Sequence, residues 1–574
     1  MKKNAIPVLI IIGLIIVVLI FIGVSAIIEK YTPSDERMSL SEYYNVEEDS
    51  QIAIILNHEQ AEVYGTSIND HIYVDYEFVH DYLNSRFYWD ANENILLYTS
   101  ATDIISANAE ATSYLVGKSS TDFGNVIVKA TAESAWISLE YVETLTGIQV
   151  DVYDSPSRVV IVNKTKEVST IATKNDAPVR HENNIKSPIL CDVTKGTVLT
   201  VLEEKKNWTK VYTTDGITGY IENKDLDKNT TDTAVIEIKE ETFSHILKDK
   251  PINLMWHQMF NTSANSKISS ILSSAKGLNV ISPTWFRISD NNGNLQNLAS
   301  HDYVDYCHDH NVEVWGCVTN FDIKDIDTTY ILTHTSARQN LVNQLVAKAL
   351  EYNLDGINID FEELYDSNIG DGYIQFLREL SIKCENNDLI LSTDVLIPEE
   401  YNAVYAYHEQ ADFVDYVIIM AYDEHYGQES GAGSVASLDW TEEAIVKMLA
   451  KEVPANQVVL GIPFYSRLWE LTPKVEEESA EVNYLIGYSD KSMSEAKKWF
   501  DNNISEPVWL EDCGQFYGEC TGTNGVIYKM WLEDNTSLEK RLQLLTKYEL
   551  AGAAFWKSSL ASNTVWDLII KYIN

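Results

Sequence analysis

Between residues 252 and 555 the sequence repeats one pattern eight times: a short apolar run, then a stretch with helical spacing. The runs cover 252–256, 280–284, 313–318, 356–361, 390–395, 416–421, 458–462 and 552–555, with helical patterns such as 336–351 and 372–386 between them. Strands of a parallel sheet are covered on both faces and read as near-continuous apolar runs. Eight strand-plus-helix units over about 250 residues or more predict an α/β fold, a (β/α)8 barrel. The seventh connection is long, about 470–545, and contains Trp509, Phe516, Tyr517, Tyr528, Trp531 and a helical pattern near 492–502. It reads as an inserted lobe forming one wall of a groove.

The fourth run departs from an apolar strand. In Asp355-Gly356-Ile357-Asn358-Ile359-Asp360-Phe361-Glu362 the side chains alternate between faces, so Ile357, Ile359 and Phe361 share one side. Asn358, Asp360 and Glu362 share the other. Burying unpaired carboxylates costs several kcal/mol, roughly, unless a partner or a site compensates. The column therefore points to an active site; the plainer readings are a solvated strand end or a Ca²⁺ or Mg²⁺ ligand set.

Barrel active sites lie at the C-terminal strand ends, and several suggestive residues fall there. Glu362 closes the fourth strand, Met420-Ala421-Tyr422-Asp423 the sixth and Trp556 the eighth, while Trp285 follows the second and Tyr465, Arg467 and Trp469 the seventh. Aromatic rings beside acids suit sugars, whose C–H faces stack while hydroxyls hydrogen-bond. Each aromatic alone reads more readily as core.

The N-terminal half carries other signals. The chain has 574 residues, 43 Lys plus Arg against 86 Asp plus Glu, and a formal net charge of -43. Such a surface argues against nucleic acid as a partner. Lys2 and Lys3 precede a charge-free stretch from Asn4 to Ile28, long enough to span a bilayer. Residues 5–28 read as an uncleaved signal anchor, N-terminus inside, although Val24-Ser25-Ala26 imitates a cleavage site. The expected place is the cell membrane, single-pass, with the barrel extracellular or in a spore envelope. Residues 29–50 read as an acidic stalk, 228–249 as a polar linker and 250–574 as the barrel.

Two modules lie between. Tyr73-Val74-Asp75-Tyr76-Glu77-Phe78-Val79 is echoed by Trp136-Ile137-Ser138-Leu139-Glu140-Tyr141-Val142, each followed by a hairpin pattern turning at Asn92-Glu93-Asn94 or Ser155-Pro156-Ser157. This doubled strand–helix–hairpin over 51–164 resembles the copper amine oxidase N-terminal-like domain; without a cluster of His ligands it does not imply copper. Residues 168–227 alternate like a small β-barrel, with Asp215-Gly216 as a hairpin signal. They resemble a bacterial SH3 domain. The first reads as a spacer or wall-binding module, and the second resemblance implies a targeting module for cell-wall peptide or glycan.

The barrel resembles glycoside hydrolase family 18. The family motif D-x-x-D-x-D-x-E falls on Asp355, Asn358, Asp360 and Glu362, the M-x-Y-D motif on Met420, Tyr422 and Asp423, and the floor tryptophan on Trp556. The set of modules resembles envelope and spore-associated members from Gram-positive bacteria. The resemblance implies substrate-assisted retaining hydrolysis after N-acetylglucosamine, an exception to the two-carboxylate scheme. Glu362 would act as acid and then base, Asp360 would orient the acetamide N–H, Tyr422 would bind its carbonyl oxygen and Trp556 would lie under the sugar. Asn358, Asp355, Met420, Asp423, Trp285 and Tyr465 are further candidate substrate contacts. No metal or cofactor is implied. Asn358 stands where the family commonly has aspartate, so the like-charge coupling that raises a neighbouring pKa is expected to be lost.

Peptidoglycan is the expected polymer, with chitin or N-glycans as alternatives and a non-catalytic wall scaffold as the competing class. Asp360, Glu362 and Glu363 form a weaker metal-site reading. His301, His308 and His310 read as a solvated helix face, Cys513 and Cys520 as a disulfide or two isolated thiols, and the oligomeric state as monomeric.

Overall fold

The computed structural model describes residues 5–48, 50–132, 134–239, 241–474, 483–523 and 525–573. Lys2 and Lys3, on which the expected orientation rests, lie outside them. The chain divides into two compact units, 1–89 with 107–241, and 90–106 with 242–574.

In the first unit Ala5–Tyr31 forms one helix, and its stretch Leu9–Tyr31 is long and apolar enough to cross a membrane. A membrane anchor and a signal sequence both meet that description. The stretch read as a stalk is partly folded. Met38, Leu40, Tyr43 and Val46 pack around buried Tyr44 against Ile55, Val160, Leu190 and Tyr212. Those apolar residues, scattered through an acidic segment, are what the reading missed. The doubled motif is present as structure: His71–Asp75 leads into the turn Tyr76–Phe78, and Ala135–Ser138 into the helix Leu139–Thr146. The two leading strands pair antiparallel, Trp136 opposite Asp75 and Ser138 opposite Tyr73.

The SH3-like part is a seven-stranded sheet whose core is Ile171, Val179, Val193, Leu199, Val211 and Ile221. Its last strand corrects the expected linker. Leu226–Ile236 pairs along Lys166–Thr173, with Ala234 opposite Val168. Most of its residues are exposed, so neither hydropathy nor alternation announced a strand held chiefly by backbone bonds.

In the second unit eight parallel strands close a barrel: Ile252–His257, Val280–Ile288, Glu313–Thr319, Gly356–Asp360, Ile390–Val395, Tyr416–Met420, Val458–Pro463 and Gly552–Trp556. The first strand pairs with the second (Leu254 opposite Val280) and with the eighth (Ile252 opposite Gly552), which closes the ring. Ile252, Leu254, Trp256, Trp315, Tyr416, Ile418 and Val459 fill its interior. Gly356 starts the fourth strand where a Cβ would lie 2.7 Å from the Ile390 carbonyl oxygen. That close approach requires glycine.

After the seventh strand comes an antiparallel lobe running from Tyr465–Lys474 to Ile527–Leu532, with the helix Met493–Asn503 packed on it through Ala496 and Phe500. Its bounds differ from 470–545 because Asn535–Lys547 is a barrel helix. The lobe aromatics pair among themselves, Trp509 on Phe516 and Tyr517 on Trp531, and none of them lines the cleft.

Candidate active site

The C-terminal strand ends open into a cleft of about 620 Å³. Glu362, Asp360, Tyr422, Asp423, Met420 and Trp556 line it, so the structure brings together six of the residues singled out in the sequence. Loop aromatics Phe260, Tyr365, Tyr401 and Tyr426 stand exposed at its rim, in place of the lobe.

Asn358 lies beneath the cleft, fully buried, and ties four strands together. Its Oδ1 accepts from Trp256 Nε1 (3.1 Å) and Ser282 Oγ (2.9 Å), and its Nδ2 donates to Ser392 Oγ (3.1 Å) and Asp394 Oδ1 (2.9 Å). Burial pushes Asp360 well above the usual carboxylate range, with Asp394 and then Glu362 as the next causes. The expected loss of like-charge coupling is therefore corrected: Asp394, from the neighbouring strand, supplies it. Asp394 is itself pushed up to about 8 by burial, against the hydrogen bonds it accepts.

Glu362 is pushed up to about 7, chiefly by burial and then by Glu363, Asp423 and Asp322. Such a carboxyl is poised to donate a proton near neutrality. Its backbone is clamped. Glu362 N–H donates to Asn320 Oδ1 and Asn320 Nδ2 donates back to Glu362 carbonyl oxygen, both at 2.9 Å, while Tyr405 Oη donates to the Phe361 carbonyl at 2.7 Å. Glu363 follows at φ 58° and is exposed, so the extended backbone ends at the acid.

Three expected contacts lie elsewhere. Asp355 is at the opposite end of the fourth strand, where it accepts from Val314 N–H and sits 2.8 Å from His308 Nε2. That pair also removes His308 from a purely solvated face. Trp285 is fully buried, bonds Asn265 Oδ1 through its indole N–H (2.9 Å) and packs on Tyr303. Ser282 bonds Asn358 and Thr284 lines the cleft, so alternation turns Trp285 outward toward the helices. Tyr465 stands behind the cleft, donating to Asp423 Oδ1 at 2.6 Å. Arg467 holds the same oxygen at 2.8 Å and also Asp490, under the Tyr488 ring.

Asp394, Asn320 and Trp256 were missed. For Asp394 the signal was available: Ser392 and Asp394 repeat in the fifth strand the polar inner face noticed in the fourth. Asn320 follows the third strand in a loop, where no period exists to expose it. Donor atoms of Cys317, Asp360 and Asp394 lie within 4.8 Å of one another. Burial pushes all three toward their protonated forms, so the set favours protons over a metal ion. All six cysteines, Cys513 and Cys520 included, are free thiols.

Residues 288–561 match the model for glycosyl hydrolases family 18, and residues 175–227 match a bacterial SH3 domain. The barrel is a family 18 glycosidase domain. The family match begins after the first barrel strand and at the end of the second. Among curated relatives, the uncharacterized glycosylase YvbX of Bacillus subtilis (strain 168) is 23% identical over 325 residues, 54% of this chain and 90% of that protein. The cortical fragment-lytic enzyme of the same strain is 23% identical over 257 residues, covering 42% of this chain and 56% of the relative. The chain thus spans little more than half the length of that second relative. The solved C-terminal domain of an inferred chitinase from Desulfitobacterium hafniense DCB-2 superposes with a TM-score of 0.51 at 20% identity, over 57% of this chain and 100% of that domain. That likeness concerns the fold.

Proposed function

We propose that the family 18 domain cleaves β-1,4 bonds after N-acetylglucosamine by substrate-assisted retaining catalysis, with peptidoglycan as polymer. The observation that carries the reading is the position of Glu362: it lines the cleft beside Asp360, Tyr422 and Trp556, with its carboxyl raised to about 7.

In this scheme Glu362 protonates the glycosidic oxygen while the substrate's acetamido oxygen attacks the anomeric carbon. Asp360 receives the acetamide N–H and offsets the positive charge of the cyclic intermediate. Tyr422 holds the acetamide oxygen, and Trp556 forms the floor. Glu362, now ionised, takes a proton from the water that opens the intermediate, which restores the starting state.

Peptidoglycan is supported by the bacterial SH3 domain in the same chain and by the name of the cortical fragment-lytic relatives. The apolar helix Leu9–Tyr31 supports anchoring in a membrane. Chitin remains the second reading, favoured by relatives named di-N-acetylchitobiase and chitinase. The deciding assay incubates the chain from about residue 30 with peptidoglycan, chitin oligosaccharides and N-glycoprotein, beside Glu362→Gln. Reducing-end N-acetylglucosamine from peptidoglycan, absent with the variant, supports the proposal. Release from chitin alone replaces the polymer, and binding without release supports a scaffold.

A further inference from the structure

We infer that Asp394, on the fifth barrel strand, is the second member of a carboxyl pair with Asp360 and exchanges a proton with it during turnover. This rests on the glycosidase reading above. The pair is read from geometry. Asn358 Oδ1 accepts from Trp256 and Ser282, so its amide nitrogen must face Asp394, to which it donates at 2.9 Å. Asn358 therefore cannot titrate, and it favours the anion at Asp394. Asp360 Oδ1 is buried with no hydrogen-bond partner, and a carboxylate oxygen of Asp360 lies within 4.8 Å of one of Asp394. A buried carboxylate oxygen without a donor favours the protonated acid.

The groups facing the pair leave few other roles. Glu362 and Asp322 add negative charge from the cleft side, the Tyr422 phenol approaches from the sixth strand, and the Cys317 thiol from the third, itself pushed toward protonation. None of them is a cation. With one proton between the two carboxyls, the proton sits on Asp360, whose Oδ1 has no donor, and the charge on Asp394, where the Asn358 donor is. When the acetamide N–H of the substrate reaches Asp360, its O–H bond breaks, the proton forms an O–H bond on Asp394, and the charge appears where the cationic intermediate needs it. No other reactant enters. Asp394 thus acts through Asp360 as a positioning residue, and the carboxyl partner of Asp360 comes from the adjacent strand, not from position 358.

The test compares kcat and KM against pH on an N-acetylglucosamine oligosaccharide for the wild type, Asp394→Asn, Asn358→Asp and the exchange Asn358→Asp/Asp394→Asn, with circular dichroism to check folding. Asp394→Asn is expected to keep KM within about twofold, lose about tenfold or more in kcat, and move the acid limb by about one unit. The exchange is expected to recover much of the loss. An unchanged profile in folded Asp394→Asn, or an exchange no better than that variant, overturns the inference. In parallel, carboxyl ¹³C NMR titration follows the Asp side chains directly. Two linked steps collapsing to one in Asp394→Asn support the pair; independent titration overturns it. If the wild type cleaves nothing, the glycosidase reading fails, and the NMR arm still decides whether the pair exists.

Discussion

Glu362 combines two requirements that conflict in water, a proton at neutral pH and access to solvent. Burial resolves them by holding its carboxyl near 7 while the cleft leaves it reachable. The alkaline limb of kcat against pH is therefore expected near 7, and Glu362→Gln is expected to lose about 10²–10⁴-fold in kcat. A limb near the ordinary carboxylate range would remove Glu362 from the acid role. Asn320 reads both polar atoms of the Glu362 peptide unit, so Asn320→Ala is expected to lower kcat about tenfold or more with KM little changed. Equal loss in binding of an unreactive glycan would make it a general structural residue instead. At this scale the sequence was legible where chemistry obeyed a strand's period of two. Asn358, Asp360 and Glu362 stood out for that reason. Trp285 misled because its nearness to a strand end said nothing about which face it took.

Among elements, the helix Thr335–Tyr352 shows how a distant segment completes a local structure. Its N-cap residue, His334, makes no side-chain capping bond. Asp90, from the second unit's segment 90–106, accepts instead from Thr335 N–H (2.7 Å) and Oγ1 (2.6 Å), and Glu93 accepts from Ser336 N–H (3.0 Å). The first-copy turn Asn92-Glu93-Asn94 was legible as a turn. Its use as a helix cap was not, since 245 residues separate the partners. Removing a capping acceptor costs about 1 kcal/mol. Asp90→Ala is expected to lose at least that in denaturant unfolding of the barrel, more because Asp90 is buried, while Lys118→Ala in an exposed turn changes little. Equal stability of Asp90→Ala and wild type would show the cap to be dispensable.

For the molecule as a whole, pH sets how much the buried acids cost. Glu362 at about 7, Asp415 at about 6 and Glu533 at about 7 all sit above their unfolded values, with burial as the first cause of each. The folded barrel thus keeps protons that the unfolded chain releases from about pH 4 upward. The stability these groups contribute is fully present below that point and is lost as pH rises through 6 to 7. Thermal melts of the chain from about residue 30 are expected to show the barrel's Tm falling between pH 5.5 and 8.5. A Tm that rises across the range would overturn the assignment of these carboxyls as protonated.

The sequence by itself determined the barrel, its strand order and the column of polar residues in its fourth strand, because burial on both faces and alternation are local rules written into consecutive residues. It also announced the SH3-like module through its turns. Only the tertiary structure decided which polar residue completes the column. Asp394 and Asn320 reach Glu362 and Asp360 from strands and loops tens of residues away, and closing the ring sets those distances. The same holds for the folded stalk around Tyr44 and the polar strand Leu226–Ile236. Their order comes from packing and backbone bonds to distant partners, which no local pattern encodes.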